Sequence, residues 1–252
     1  MSQAGLEAGL QERAARAVPA EFVERVGEWW LRHAPGCSWW VGSVLPHGAA
    51  PVAELAARVD AAEAFCAAHT IPTKIQMTPG AVAPELDGIL AARGYTRQAS
   101  VSLQTATTSS VLELAPRGSG PLRVRLVERP TREWFEVWHS IVGGEPDPQW
   151  RLLERITERS AYASVELGAE TVAVGRVVAE AGWAGVFGMA TRPEARGKGA
   201  AGAVLGALAD WAAVNDAPRM YLQVEHENEG AVRLYERVGF GELAGFYFRV
   251  KE

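Results

Sequence analysis

The chain's 252 residues are 48% hydrophobic and carry a formal charge of −5 at pH 7, with a pI near 5.7. That composition supports a large buried core, as one big domain or two modest ones, and excludes the basic face of a general nucleic-acid binder. Cys37 and Cys66 lack CxxC spacing, and His33, His47, His69, His139 and His226 are scattered. Neither a disulfide framework nor a metal site is therefore expected, and the compartment reads as reducing. Charges recur through the N-terminal stretch, leaving no apolar signal core, and no stretch approaches the roughly 20 apolar residues of a membrane span. The expected location is the cytoplasm, without membrane or nucleic-acid partners.

In chain order, residues 7–33 read as helix interrupted at Pro19, with Leu10, Phe22, Val26, Trp29 and Trp30 on one apolar stripe. A strand is predicted over 38–45, a helix over 52–68, a strand over 74–78 and a helix over 84–93 that ends at Gly94. Residues 95–105 alternate as a strand. The Pro/Gly-rich stretch 115–121 reads as a linker. The second half begins with a strand at 122–127 and a helix at 131–142. A Gly/Pro-rich acidic loop follows at 143–148, then a helix at 150–159. Strands at 161–167, 171–179 and 183–190 come next, the first two joined by a tight turn at Gly168. After a glycine-rich turn, Ala201, Val204, Leu205, Leu208 and Ala212 share one helical face. A strand at 219–224, a helix at 228–238 and a strand at 246–250 complete the chain. This order implies an α/β (α+β) fold with a mixed sheet and a right-handed βαβ crossover that carries the glycine turn.

The halves repeat. Residues 74–77 precede Gly94-Tyr95 by the same spacing as 219–222 precede Gly239-Phe240, and each stretch runs strand, helix, Gly-aromatic, strand. The reading is of two copies of one architecture, although so common a supersecondary pattern also arises by coincidence. Only the second half has the glycine turn. At the matching place the first has Pro46-His47-Gly48-Ala49-Ala50-Pro51, with no basic residue and no glycine pair.

A glycine turn that opens a helix suits phosphate. The first helical turn offers N–H groups without intrahelical partners, the helix dipole adds positive charge, and Arg196 and Lys198 add two cations. Gly197-Lys198-Gly199-Ala200-Ala201-Gly202 satisfies GxGxxG. Against a dinucleotide site, several residues including Pro193 separate the strand end from the first glycine, and the turn is cationic. An NTPase P-loop is excluded because Arg192 stands where its first glycine should be and Gly199 follows Lys198 in place of Ser or Thr. A turn needed only for helix packing is the remaining alternative.

Arg196-Gly197-Lys198-Gly199-Ala200-Ala201 also fits Arg/Gln-x-x-Gly-x-Gly/Ala, the acyl-coenzyme A pyrophosphate loop of the GCN5-related N-acetyltransferases, the GNAT superfamily. The stretch from Asn228 through Ala231 and Tyr235 to Gly239-Phe240 is similar to that family's last βαβ unit. The resemblance covers about 121–252, and the first half resembles the degenerate copy of tandem members, with Ala83 opposite Asn228 and Leu90 opposite Tyr235. It implies an acyl-CoA N-acyltransferase fold in two GNAT-like mixed-sheet halves, a degenerate 1–117 and a catalytic 118–252.

For this sequence the resemblance implies acetyl-coenzyme A as cofactor, used in a ternary complex. Backbone N–H groups of Arg196, Gly197, Lys198, Gly199, Ala200 and Ala201 would hold the pyrophosphate. Met189, Ala190 and Thr191 would bind the pantetheine amide and polarise the acetyl carbonyl, and Asn228 would contact the pantetheine arm. Tyr235 would protonate the departing sulfur, although a tyrosine at this spacing also packs a helix. Glu225, at a strand end beside His226 and Glu227, is the candidate base. The acceptor pocket is expected at the two helices after residue 127 and their connection, where Trp134, Trp138 and Trp150 with Glu145 and Asp147 would suit a cationic amine on a planar body. Burial in the core is the competing account of the tryptophans. Trp29, Trp30, Trp39 and Trp40 are expected to line an interface between halves. The expected acceptor is a small-molecule primary amine, with a protein amine or a non-catalytic acyl-coenzyme A-binding module as alternatives, and the assembly a monomer or homodimer.

Overall fold

A computed structural model describes residues 2–37, 40–48, 50–116 and 121–252. In chain order the elements are α1 (Gln3–Ala17), β1 (Phe22–Val26), β2 (Trp29–His33), α2 (Val52–Ala68), β3 (Thr73–Met77), α3 (Glu85–Ala92), β4 (Thr96–Thr107), α4 (Thr108–Leu114), β5 (Leu122–Val127), α5 (Arg132–Val142), α6 (Pro146–Glu154), β6 (Arg159–Leu167), β7 (Glu170–Glu180), β8 (Trp183–Thr191), α7 (Ala200–Val214), β9 (Arg219–Glu225), α8 (Glu229–Arg237) and β10 (Gly241–Lys251). They form two compact units, one of residues 1–102 with 244–252 and one of residues 103–243.

In the first unit the strand order is β3-β10-β4, with β10 antiparallel to β3 from Tyr247↔Met77 to Lys251↔Thr73. Its core joins Trp29, Leu55, Val59, Phe65, Ile75, Leu86, Leu90 and Tyr95. Residues 22–33 are not helical. They form an antiparallel hairpin running from Phe22↔His33 to Val26↔Trp29, turned at Gly27, whose φ of 58° suits the first position of a two-residue hairpin turn. The β-branched and aromatic residues around that glycine favour strand, and Trp29 belongs to this unit's own core. Of the predicted strand 38–45, residues 38 and 39 lie outside the described residues. Only Val44 and Leu45 bridge, to Ile75 and Trp30.

The second unit is a mixed sheet of order β4-β9-β8-β7-β6-β5. Strands β5 to β8 are antiparallel neighbours, whereas β8 and β9 are parallel. Helix α7 supplies the centre of this core with Val204, Leu205, Leu208 and Ala212 fully buried, each large side chain contributing about 1.5–3 kcal/mol. Gly202 and Gly206 face α4 and the residues after it. A Cβ on Gly202 would stand 2.8 Å from Pro116 Cδ, so this third glycine of the GxGxxG match serves close packing. Ala115 is buried and Pro116 packs on Gly202, so these two residues are anchored core where a linker was expected. The expected boundary at 117/118 lies outside the described residues. Helix α6 begins at Pro146, four positions earlier than predicted, because proline fits the first helical turn.

The repeated stretches share their backbone bonds. Tyr95 N donates to Leu90 O (3.1 Å) and Phe240 N to Tyr235 O (3.0 Å); Leu86 N donates to Ala83 O (3.1 Å) and Ala231 N to Asn228 O (3.0 Å). Gly94 and Gly239 have φ of 85° and 93°, the left-handed helix end that glycine allows.

Candidate active site

The site is organised by β8, which is distorted on both edges. Opposite β7, Val174 pairs with Ala190 and Arg176 with Phe187. Gly188 and Met189 therefore oppose the single residue Gly175, which is a β-bulge. Both glycines are required. Gly188 has φ 61°, and a Cβ on Gly175 would stand 2.5 Å from Met189 Sδ and 2.7 Å from Val204 Cγ1. From α5, capped by Thr131 Oγ1 accepting from Trp134 N at 3.1 Å, the Trp134 indole N–H is shared between Ala163 O and Gly175 O at 3.1 Å each. On the other edge β8 and β9 pair only from Trp183↔Arg219 to Gly185↔Tyr221. Beyond that they part, although β8 continues to Thr191 and β9 to Glu225. Met189, Ala190 and Thr191 thus lie on the stretch of β8 whose β9 side has no ladder partner.

The glycine turn follows directly. Arg192 is tied back to the sheet, its N donating to Val172 O (2.9 Å) and its Nε to Thr171 O (3.0 Å), and so belongs to the scaffold. A 3₁₀ turn at Pro193–Ala195 leads to Arg196, Gly197, Lys198 and Gly199, all exposed. Gly197 and Gly199 have φ of 74° and 83°. A Cβ on either would meet nothing within 4 Å, so conformation, not space, requires glycine here. Gly199 caps α7 without a side-chain acceptor, and the first helical N–H to find a backbone partner is that of Ala203, to Gly199 O at 3.0 Å. The N–H groups of Ala200 and Ala201 head an uncapped helix beside two exposed cations, an arrangement that suits an anion.

At the end of β9, Glu225 is half-buried, and its carbonyl accepts from Asn228 N at 2.9 Å. His226 is engaged elsewhere, with Nε2 2.8 Å from Glu242 Oε2. Asn228 caps α8, its Oδ1 accepting from Ala231 N at 3.2 Å. Two turns later Tyr235 is 7% exposed, edge-on to Phe240 at 6.0 Å. Burial pushes its phenol up to about 12, which keeps the proton in place at neutral pH.

The expected acceptor residues are not equivalent. Trp134 is fully buried with its N–H spent on the bulge. Its ring comes within 3.2 Å of where a Gly188 Cβ would stand, and its full burial sets it in the core where a pocket wall was expected. Trp138 stacks on it at 6.0 Å, half-buried, with Nε1 3.5 Å from where a Gly188 Cβ would stand. Trp150 lies under the Arg132 guanidinium at 3.7 Å and donates to Glu154 Oε1 at 2.7 Å. Glu145 occupies the N-cap position of α6 and Asp147 its first turn. Both are exposed, where negative charge favours the helix dipole. Among the described residues no hydrogen bond, ion pair or ring contact joins either acid to Trp138. Arg176, which sequence reasoning missed, is buried on β7 next to the bulge; its signal was a single charge inside the apolar run 172–178. Among the described residues no group of three or more His, Cys, Asp or Glu could hold a metal ion, and no helix is long and apolar enough to cross a membrane.

The fold is one that known proteins share. Residues 124–240 match the model of the Acetyltransferase (GNAT) family. Over 245 residues, 96% of this chain and 97% of the relative, the sequence is 26% identical to the uncharacterized N-acetyltransferase YobR of Bacillus subtilis (strain 168). In fold, the chain is similar to a GCN5-related N-acetyltransferase from Kribbella flavida, with a TM-score of 0.74 and 19% identity, covering 100% of this chain and 96% of that one. It is also similar to a tandem GNAT protein from the clavulanic acid biosynthesis pathway, with a TM-score of 0.64 and 13% identity, covering 88% and 73%. Over residues 124–240 the chain is thus similar to the acetyltransferases of the GNAT family, and over nearly its whole length it resembles N-acetyltransferases. Enzymes of this family use acetyl-coenzyme A.

Proposed function

We propose that the protein acetylates a primary amine of a small molecule by direct attack in a ternary complex, and that residues 118–252 carry the chemistry while 1–117 are a GNAT-like copy that has lost it. The observation that carries this reading is the parting of β8 from β9 immediately before the uncapped N-terminus of α7. The residues fit acetyl-coenzyme A. Unpartnered N–H groups, two left-handed glycines and the Arg196 and Lys198 charges suit a pyrophosphate, and a Cβ at either glycine would enter open space.

Acetyl-coenzyme A, when bound, supplies the acetyl group as a thioester. Backbone N–H groups of Gly197, Gly199, Ala200 and Ala201 would hold its pyrophosphate, whereas the N–H groups of Arg196 and Lys198 already donate to Pro193 O and Ala195 O, so that these two residues would contribute their charges. Backbone groups of Met189, Ala190 and Thr191, freed from the β9 ladder, hold the pantetheine amide and the acetyl carbonyl, where fixed donors stabilise developing negative charge. Asn228, with Oδ1 used as helix cap, offers its amide N–H to the pantetheine arm. Tyr235 donates its phenolic proton to the departing sulfur. Glu225 accepts the amine's proton directly or through water. Trp138 would border the acceptor side, and Glu145 and Asp147 would supply negative charge for the ammonium. The enzyme acts in the cytoplasm as a monomer or homodimer.

Thiol release from acetyl-coenzyme A across a panel of amines and peptides, with calorimetric binding in parallel, tests the reading. Transfer to small amines is expected. Transfer confined to peptides would contradict the small-molecule acceptor, and binding without transfer to either would leave only a binding module.

A further inference from the structure

Arg176 is 4% exposed and lies in a row across the sheet, Tyr162↔Arg176↔Phe187 on β6, β7 and β8. This row is on the face that α5 covers, since Trp134 stands edge-on to Tyr162 at 5.1 Å. Arg176 follows Gly175, the residue that stands opposite the bulge. Its surroundings are aromatic. It lies 4.8 Å over the Phe187 ring, and the Tyr162 and Tyr221 hydroxyls and Glu158 act on it electrostatically. Among the described residues it has no ion pair, and its buried Nη1 has no hydrogen-bond partner. Burial lowers its pKa to about 10, so it stays charged at neutral pH. A buried cation that no carboxylate pairs directly destabilises the fold, whereas an anionic ligand in contact with it would relieve that cost. The fork of guanidinium donors matches a carboxylate. Phe187, over whose ring the guanidinium lies, is partly exposed, which leaves an approach from solvent.

We infer that Arg176 is the anchor for a carboxylate on the acceptor, so that the substrates are amines bearing a carboxylate, of amino-acid type, and not purely cationic amines. This rests on the proposed acetyl transfer. It also keeps a place for acidic residues, because an amino acid presents an ammonium as well as a carboxylate.

The test compares amino acids with their decarboxylated partners: phenylalanine with phenethylamine, tyrosine with tyramine, histidine with histamine. In the wild type the kcat/KM ratio of acid over paired amine should be at least about tenfold for the accepted skeleton. In Arg176→Gln that ratio should fall to near one, and Arg176→Lys should restore part of it. Arg176→Met, which removes the buried charge, should melt no lower than the wild type and lose the same preference. A wild-type ratio near or below one, or a ratio unchanged in Arg176→Gln, overturns the assignment. So does a large drop in melting temperature in Arg176→Met, which would mark a structural arginine. Calorimetry of the wild type with acetyl-coenzyme A separates the levels: binding with transfer only to decarboxylated amines defeats the carboxylate anchor alone, whereas absence of binding defeats the proposed function itself.

Discussion

The stretches β3-α3-β4 and β9-α8-β10 use the same backbone for different ends. Each helix closes with an aromatic N–H bonded five residues back, to Leu90 O in one and Tyr235 O in the other, after a glycine with positive φ. Leu90 and Tyr235 are both buried, but only Tyr235 carries a proton to give. Ala83 and Asn228 accept the same backbone bond at the helix start, and only Asn228 adds a side-chain amide. The helices before them differ more. Helix α2 starts at Pro51, after a segment where His47 is buried with Nδ1 3.1 Å from Glu12, whereas α7 starts at a left-handed glycine with nothing over it. A core tolerates exchange of a leucine for a tyrosine more readily than a loop can lose its glycines and remain an anion site.

Changes at the paired positions should break or sharpen this contrast. The largest effect is expected at the loop. Gly199→Glu forces a side chain into the left-handed region, at about 1–2 kcal/mol, and puts a negative charge at a helix N-terminus. Acetyl-coenzyme A affinity measured by calorimetry should fall at least about 100-fold, roughly 3 kcal/mol, with the circular dichroism spectrum retained. Leu90→Ala should cost about 2–5 kcal/mol of stability in denaturant unfolding, while turnover per folded molecule stays at the wild-type level. Tyr235→Phe should invert that pattern, lowering kcat roughly a hundredfold with the acetyl-coenzyme A Kd unchanged. Unchanged turnover would return Tyr235 to packing.

The Tyr235 phenol also sets an alkaline stability window. Its folded pKa of about 12 exceeds the usual value near 10, so the folded state keeps a proton that the unfolded state releases. Its contribution is intact below pH 10 and is lost as pH rises toward 12, about 2–3 kcal/mol at most. Unfolding at pH 9 and pH 11 should show the wild type losing more stability than Tyr235→Phe. The smallest effect is expected at the bulge. Trp134→Phe keeps the ring but leaves Ala163 O and Gly175 O without their indole donor, at about 1–2 kcal/mol in thermal unfolding.

Much of the second unit was legible because its strands are apolar runs punctuated by glycine and its helices have clear faces. The turn at residues 196–201 could be read because glycines beside cations at a helix start have few other uses. The hairpin at 22–33 could not, because Phe22, Val26, Trp29 and Trp30 fit a helical stripe as well as a strand over so short a run, and Gly27 decides between them only through its φ. Depth was also hidden. Trp134 and Trp138 are four residues apart on one helix face and both reach the bulge, yet one is fully buried and the other half-buried. Arg176 sits where strand alternation suggests a solvent-facing charge, and only a helix over that face makes it a buried one.

The central claim is that one of two similar halves holds the cofactor. The number of acetyl-coenzyme A molecules bound per chain, by isothermal titration of the intact protein, tests it most directly. One site per chain, lost in Gly199→Glu, is predicted. Two sites, or one that survives that substitution, would contradict the account.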